Sequence, residues 1–386
     1  MKVDLLFPVL PPKLDGIGDH TARLAQALSR HADVRVLTTQ AEHDPIPGVS
    51  VETAFSLPPR RGVYELIDAV HDASPDWLFI QFNQFSYGRW GLNPFLPLTV
   101  RRLRKSPHAP RIAIMFHEDF VPVTNWKNAI MTTWQRWQFW MLGRLADQVF
   151  FSIDPWVERY RSWFPDTPVH HLPVGSNMPH VVADRQAVRT ELGINPDTFV
   201  LGVFGSLHNS RLIGHIRHAT KAVADASNNF KLLYIGPHGD AFCRAMESWP
   251  VLDGGRLPAE AVSRHLRAMD VHLTPFVDGV STRRGSFMAG LQHGVPTVAT
   301  HGPLTDALLT RRHKQAFLLA PVEAPDRFAE HVVALWRQPE KRRAMGKAGE
   351  DLYREHFTFE AAAGTVADRL QQPAPFDSGT AIVSDG

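Results

Sequence analysis

Short, nearly continuous apolar runs alternate with longer amphipathic segments along this chain, and the alternation starts twice. Residues 3–10, 34–38, 77–81, 111–116 and 149–153 form the first set of runs. A strand covered on both faces has no polar side to alternate with, so such runs read as buried parallel strands. Between them, residues 18–31, 63–73 and 126–145 carry apolar side chains at helical spacing. Strand, helix and strand in that order require crossover connections, which predicts a doubly wound α/β sheet. A turn-rich stretch with Pro173, Gly175, Asn177 and Pro179 follows, and the pattern resumes with runs at 199–205, 231–236, 271–276 and 296–300.

At 386 residues the chain exceeds one ordinary core. The expectation is two Rossmann-like α/β domains, 1–178 and 179–356, with a ligand cleft. A final helix over 357–371 and a polar, disordered tail over 372–386 complete the chain. Asp4 and the early prolines break what would otherwise resemble a signal-peptide stretch, so the start reads as a first strand.

The 41 basic and 39 acidic residues leave a formal charge of +2 with no long basic block, which argues against nucleic acid as a partner. Cys243 is the single cysteine, so an intramolecular disulfide and a cysteine zinc cluster are excluded, in keeping with a reducing cytoplasm. No apolar run reaches the roughly 18 residues of a membrane-spanning helix.

Three glycine-containing turns fall where a strand ends and a helix begins. Asp15-Gly16-Ile17-Gly18-Asp19-His20 follows the first run; it can bring backbone N–H groups to an anion or a sugar hydroxyl, or serve only as a tight turn. Thr21 stands where a dinucleotide fingerprint needs its last glycine. Gly205 and Ser206 precede Arg211, a guanidinium suited to a diphosphate unless it is a solvated surface arginine. The third turn runs from Asp278 through Ser281, Arg283, Arg284, Gly285 and Ser286. Ser286 as N-cap would leave amides from Gly285 to Phe287 facing the loop beside two arginines, a pyrophosphate cradle. His117, directly after the run 111–116, sits at the carboxyl end of a strand, where open α/β sheets bind ligands or where a histidine simply closes the strand.

Trp126, Trp134, Trp137 and Trp140 share one predicted helix with Lys127, Arg136 and Arg144. Aromatic stripes are usually core, and Trp126, Trp134, Trp137 and Met141 are spaced for one buried face. A helix lying on lipid headgroups is the alternative, which would place the protein at the inner face of a membrane.

With these motifs in order, the chain resembles the GT-B glycosyltransferases and, within them, the retaining family 4 (glycosyl transferases group 1). The resemblance covers nearly the whole length. It runs from Gly16 and Gly18 through Phe85-Ser86-Tyr87-Gly88, His117-Glu118 and Leu172-Pro173-Val174-Gly175, then to Phe204-Gly205-Ser206-Leu207, Gly255-Arg256-Leu257-Pro258 and the Asp278–Ser286 loop. It implies two facing Rossmann-like domains, a last helix crossing back to the first, and a nucleotide-diphosphate sugar as donor. The acceptor would be a glycan, a lipid-linked molecule or a small molecule. Carried over by position, Arg211 faces the diphosphate, Arg256 and Leu257 lie in the loop that meets the base, Gly16 lies against the donor, and His117 lies near the sugar. No metal is implied, and the chain has no Asp-x-Asp motif. Retaining transfer in this family is thought to use no protein nucleophile, the leaving diphosphate helping to take the acceptor's proton.

The departures are specific. The basic residue expected next to the glycine is replaced by Ser206, and the usual acidic pair falls on Ser281 and Ala289 or, counted forward from Pro275, on Asp278 with an insertion carrying Arg283 and Arg284. The second count keeps a carboxylate for the sugar hydroxyls. No side chain at Ala289 or Gly290 can accept a bond from the ribose. A non-catalytic subunit that binds nucleotide sugars therefore stands as the alternative function.

Overall fold

The computed structural model describes residues 1–57 and 62–372. Its strands are β1 (Lys2–Leu6), β2 (Asp33–Thr38), β3 (Ser50–Thr53), β4 (Trp77–Phe82), β5 (Arg111–Phe116), β6 (Gln148–Phe151), β7 (Val169–His171), β8 (Phe199–Phe204), β9 (Phe230–Ile235), β10 (Val251–Asp253), β11 (Val271–Thr274), β12 (Thr297–His301) and β13 (Leu318–Pro321). They form two sheets, in the orders β3-β2-β1-β4-β5-β6-β7 and β10-β9-β8-β11-β12-β13. The pairings are parallel throughout.

Both orders reverse once, between β1 and β4 in the first sheet and between β8 and β11 in the second. Register at these reversals pairs Leu5 with Phe79 and Leu201 with Val271. Crossover helices leave in opposite directions at such a point, which opens a crevice at the carboxyl ends of the two strands.

The chain divides into two compact units. Unit 1 contains Met1–Phe151, Arg159–Leu172 and the chain from Ala362 onward; unit 2 contains Ser152–Glu158 and Pro173–Ala361. Unit 1 buries the whole of β4, and Leu5, Phe79, Ile114, Phe150 and Phe151 are fully inaccessible. Unit 2 packs β8, β9, β11 and β12 against the helices Ile213–Ala224 and Pro325–Arg337 through Val203, Leu232, Leu273, Val298, Ile216 and Phe328.

The last helix, Phe359–Gln371, joins unit 1 from Ala362, where the indole N–H of Trp77 donates to the carbonyl of Leu370 at 3.0 Å. The disorder expected over 372–386 lies, from residue 373, outside the described residues.

The helix Trp126–Leu145 has the predicted bounds but not the predicted face. Its buried residues are Thr132, Gln135, Gln138, Phe139, Leu142 and Gly143, while Trp126, Trp137 and Trp140 are exposed and Trp134 and Met141 half-buried. Spacing alone could not choose the side, because the buried glutamines are satisfied by loops remote in sequence. Among the described residues, no helix is long and apolar enough to cross a membrane.

Candidate functional site

In unit 2 the chain leaves β8 through Gly205, at φ +102, a backbone conformation that side chains rarely adopt. A Cβ there would stand 3.2 Å from Nη2 of Arg211 and 3.4 Å from Cβ of Ser286. Strand end, arginine and helix start are thus packed together at the sheet's reversal. Ser206 is exposed, and its carbonyl accepts from Nε of Arg211 at 3.3 Å.

Arg211 is drawn in by the loop after β11. Leu212 N donates to Pro275 O at 3.0 Å, Val277 N donates to Ser210 O at 2.8 Å, and Arg211 and Phe276 form a backbone bridge between them. The guanidinium is only 6 % exposed, yet its hydrogen bonds run to neutral carbonyls, Nη2 reaching Phe204 O at 2.8 Å. Nη1 is buried with no hydrogen-bond partner among the described residues. Burial, and then the charge of Arg284, pull its pKa down to about 10.

Arg284 lies over the same Phe276 ring and reaches Ser210 Oγ at 3.4 Å through Nη1, while Arg283 lies over Trp156 at 5.0 Å. The helix Gly285–Gln292 begins directly after them. Its N-cap position is Arg284, without a side-chain cap, so Ser286 is the helix's second residue and not the predicted N-cap. The first helical bond runs from Met288 N to Arg284 O at 3.1 Å, leaving the amides of Gly285, Ser286 and Phe287 ahead of the ladder. A Cβ on exposed Gly285 would meet nothing within 4 Å.

The loop is anchored from below. Thr282 N donates to Asp306 Oδ2 at 2.6 Å, and Thr282 Oγ1 lies 2.8 Å from Ser152 O and 3.0 Å from Asp306 Oδ1. Asp306 Oδ1 also accepts from Asp154 N, and Asp154 Oδ2 accepts from Ala307 N, both at 2.9 Å, so each aspartate caps the helix that the other begins. Burial lifts the Asp306 carboxyl to about 7. Ser281 is buried, with its hydroxyl unpartnered among the described residues. Asp278 is half-buried in the turn closed by Gly279 N to Phe276 O at 3.1 Å.

The predicted base loop follows β10. Gly255 takes φ +64 with its amide on Asp253 Oδ1 at 2.8 Å, Arg256 is exposed, and Leu257 packs on the core beside Ile235 and Val262.

In unit 1 the glycine turn is arranged differently from an anion cradle. Asp15 Oδ1 accepts from Ile17 N and Gly18 N, both at 2.9 Å, so a carboxylate already occupies the first amides of the helix Gly16–Leu28. Gly18 is required for close packing, since a Cβ would stand 2.5 Å from Val9 O, whereas Gly16 is exposed with open space around it.

His117 is buried at the end of β5, where its Nε2–H donates to Gln81 Oε1 of β4 at 2.8 Å. His20 of the helix Gly16–Leu28 stands edge-on to it, with ring centroids 5.1 Å apart. Burial holds both imidazoles neutral, His20 at about 4, and His20 further lowers His117. His20, Gln81, Phe276, Trp156 and Thr282 were not selected from sequence. Only Gln81, a polar residue next to the end of the buried strand β4, carried a signal of a role.

Two parallel sheets that each reverse between their first and fourth strands, with helices between, define the GT-B architecture found among glycosyltransferases. The chain is similar to sucrose-phosphate synthase from Thermosynechococcus elongatus, at 16 % identity and TM-score 0.72 over 95 % of this chain and 98 % of that one. It is similar to HepE from Anabaena in complex with UDP and glucose, at 14 % identity and TM-score 0.68 over 97 % and 100 %. WaaG, a glycosyltransferase involved in lipopolysaccharide biosynthesis, gives 14 % identity and TM-score 0.66 over 97 % and 100 %. No protein-family model matches the chain, and no curated protein matches it in sequence.

Proposed function

We propose that the chain is a retaining glycosyltransferase of family 4, and that unit 2 holds the diphosphate of its nucleotide-sugar donor. The carrying observation is Arg211: a buried cation hydrogen-bonded to neutral carbonyls, with Nη1 unpartnered, at the reversal of the sheet. A buried charge without a counter-charge is costly, and an anion bound there would offset that cost. Arg284, Arg283 and the helix start at Gly285 add positive potential on the same loop. The complexes of HepE with UDP and with UDP-glucose support a nucleotide diphosphate as that anion.

Transfer then leaves charge on the departing diphosphate, which fixed arginines and amides stabilise without reorganisation. Asp278 is assigned the sugar hydroxyls, and the loop Gly255–Leu257 the base. Acceptor-side roles fall to unit 1, where neutral His117 is oriented by Gln81. The proposed setting is cytoplasmic carbohydrate biosynthesis.

A binding-only subunit is the second reading, favoured by positions 289 and 290, which offer no side-chain acceptor for a ribose: Ala289 is buried, and a Cβ on Gly290 would meet His272 Nδ1 at 2.4 Å. Thermal shift with UDP, GDP, ADP and dTDP tests the diphosphate site, since a ligand of the native state raises apparent stability. Release of nucleotide diphosphate from the matching sugar then separates the two readings. No shift with any of the four would count against both.

A further inference from the structure

The helix Trp126–Leu145 buries Thr132, Gln135 and Gln138 beside Phe139 and Leu142, whereas Trp126, Trp137 and Trp140 stand 69, 39 and 47 % exposed. With exposed Ile130, these residues fall within one stripe of the helix.

The buried polar groups have a task. Gln135 Oε1 accepts from Val121 N at 2.9 Å and its Nε2 donates to Trp90 O at 3.3 Å; Gln138 Oε1 accepts from Asn93 N at 2.5 Å and its Nε2 donates to Gly91 O at 2.7 Å. Thr132 Oγ1 donates to Val121 O at 2.6 Å. Two loops are thereby strapped to the side of the helix opposite the exposed stripe, which fixes the stripe's outward orientation.

Charge completes the surface. The helix contains no Asp or Glu; Lys127 Nζ lies 5.6 Å from the Trp126 ring centroid on one flank of the stripe, and exposed Arg136 stands on the other. Arg144, in the last turn, pairs with Asp166 at 3.4 Å. Indoles prefer the layer between hydrocarbon and water, and cations on the flanks of the stripe favour lipid phosphates.

We propose that this face of unit 1 docks on an anionic lipid bilayer, with Trp126, Trp137 and Trp140 in the headgroup layer and Lys127 and Arg136 against phosphates. An acidic protein surface would answer the cations but not three indoles in water, and a second copy would set like charges against each other. The inference uses no residue of the donor site.

The full chain is floated with vesicles of phosphatidylcholine alone and of phosphatidylcholine mixed with phosphatidylglycerol. The expected result is association with the mixed vesicles only, reversed by salt, with a blue shift of tryptophan emission. Trp126→Ser/Trp137→Ser/Trp140→Ser is expected to weaken association by about tenfold or more, and Lys127→Glu by about tenfold, from loss of interfacial indoles and of phosphate attraction. Melting temperature and nucleotide binding should stay unchanged in both. Failure of the wild type to float with the mixed vesicles, or undiminished floating of both variants, would overturn the proposal. So would a lipid-free dimer, seen by light scattering, that the triple variant abolishes, for the face would then belong to a second copy.

Discussion

Arg211 and Arg284 share one aromatic ring: their guanidinium carbons lie 5.1 and 4.4 Å from the centroid of Phe276. Two cations so placed repel, and the negative face of the ring offsets only part of that repulsion. An anion bound there, as proposed, would relieve that repulsion; the pair itself is built from two loops that meet only when β8 and β11 lie side by side.

Turnover should separate the two arginines. Arg284→Ala, half-buried on its loop, is expected to lower the rate by at least about tenfold with little change in melting temperature, because one transition-state contact is removed. Arg211→Ala should lower both, since Phe204 O and Ser206 O lose their donor inside the fold. Steady-state rates and thermal melts on the same preparations check this, and an unchanged rate in Arg284→Ala would reject the cradle.

Thr282→Val keeps the shape of the loop's anchor and removes its hydroxyl. A cost of about 1–3 kcal/mol in urea unfolding is expected from the buried acceptors left behind, with kcat falling more than KM rises as the arginine loop loosens. Thr282→Ser should restore most of both. An unaltered kcat in a destabilised Thr282→Val protein would limit Asp306 and Thr282 to a structural part.

Stability should fall on the acid side. Burial depresses His20 and His293 from 6.5 to about 4 and His272 to about 3. A base whose folded pKa is depressed contributes stability that is present above its unfolded pKa and lost as pH falls through the folded one. The loss therefore opens below about 6.5 and grows toward 4, on the order of 3 kcal/mol for His20 alone. Asp306, raised from 3.8 to about 7, acts in the opposite sense, its contribution being lost as pH rises to about 7. The three histidines outweigh it. Urea midpoints at pH 7 and pH 5 measure the balance, and a higher midpoint at pH 5 would contradict it.

Chelation should leave activity intact. In the proposed donor site Arg211, Arg283, Arg284 and the helix start would do what a divalent cation does elsewhere, neutralising the phosphates. Rates measured with and without EDTA test this, and loss of activity restored by magnesium or manganese would show that the arginines do not suffice.

The central strands were legible in the sequence, because β1, β2, β4, β5, β6, β8, β9, β11 and β12 lie inside the two sheets and must be apolar almost throughout. Four strands were not: β3, β7, β10 and β13 are the outer strands of the two sheets. Ser50–Thr53 and Val251–Asp253 are half exposed and short, so neither a continuous run nor a clean alternation marks them. The same limit governs the site. Glycines, arginines and a helix start after a strand could be read off as a ligand loop, since local backbone chemistry is a property of neighbours in sequence. The stacking of Arg211 and Arg284 on Phe276, the Asp15 carboxylate on the amides of Ile17 and Gly18, the Asp306 anchor under Thr282 and the outward turn of Trp126, Trp137 and Trp140 were decided by tertiary structure. Each depends on which loop a side chain meets, and a helical period fixes which residues share a face without fixing which face the rest of the protein will cover.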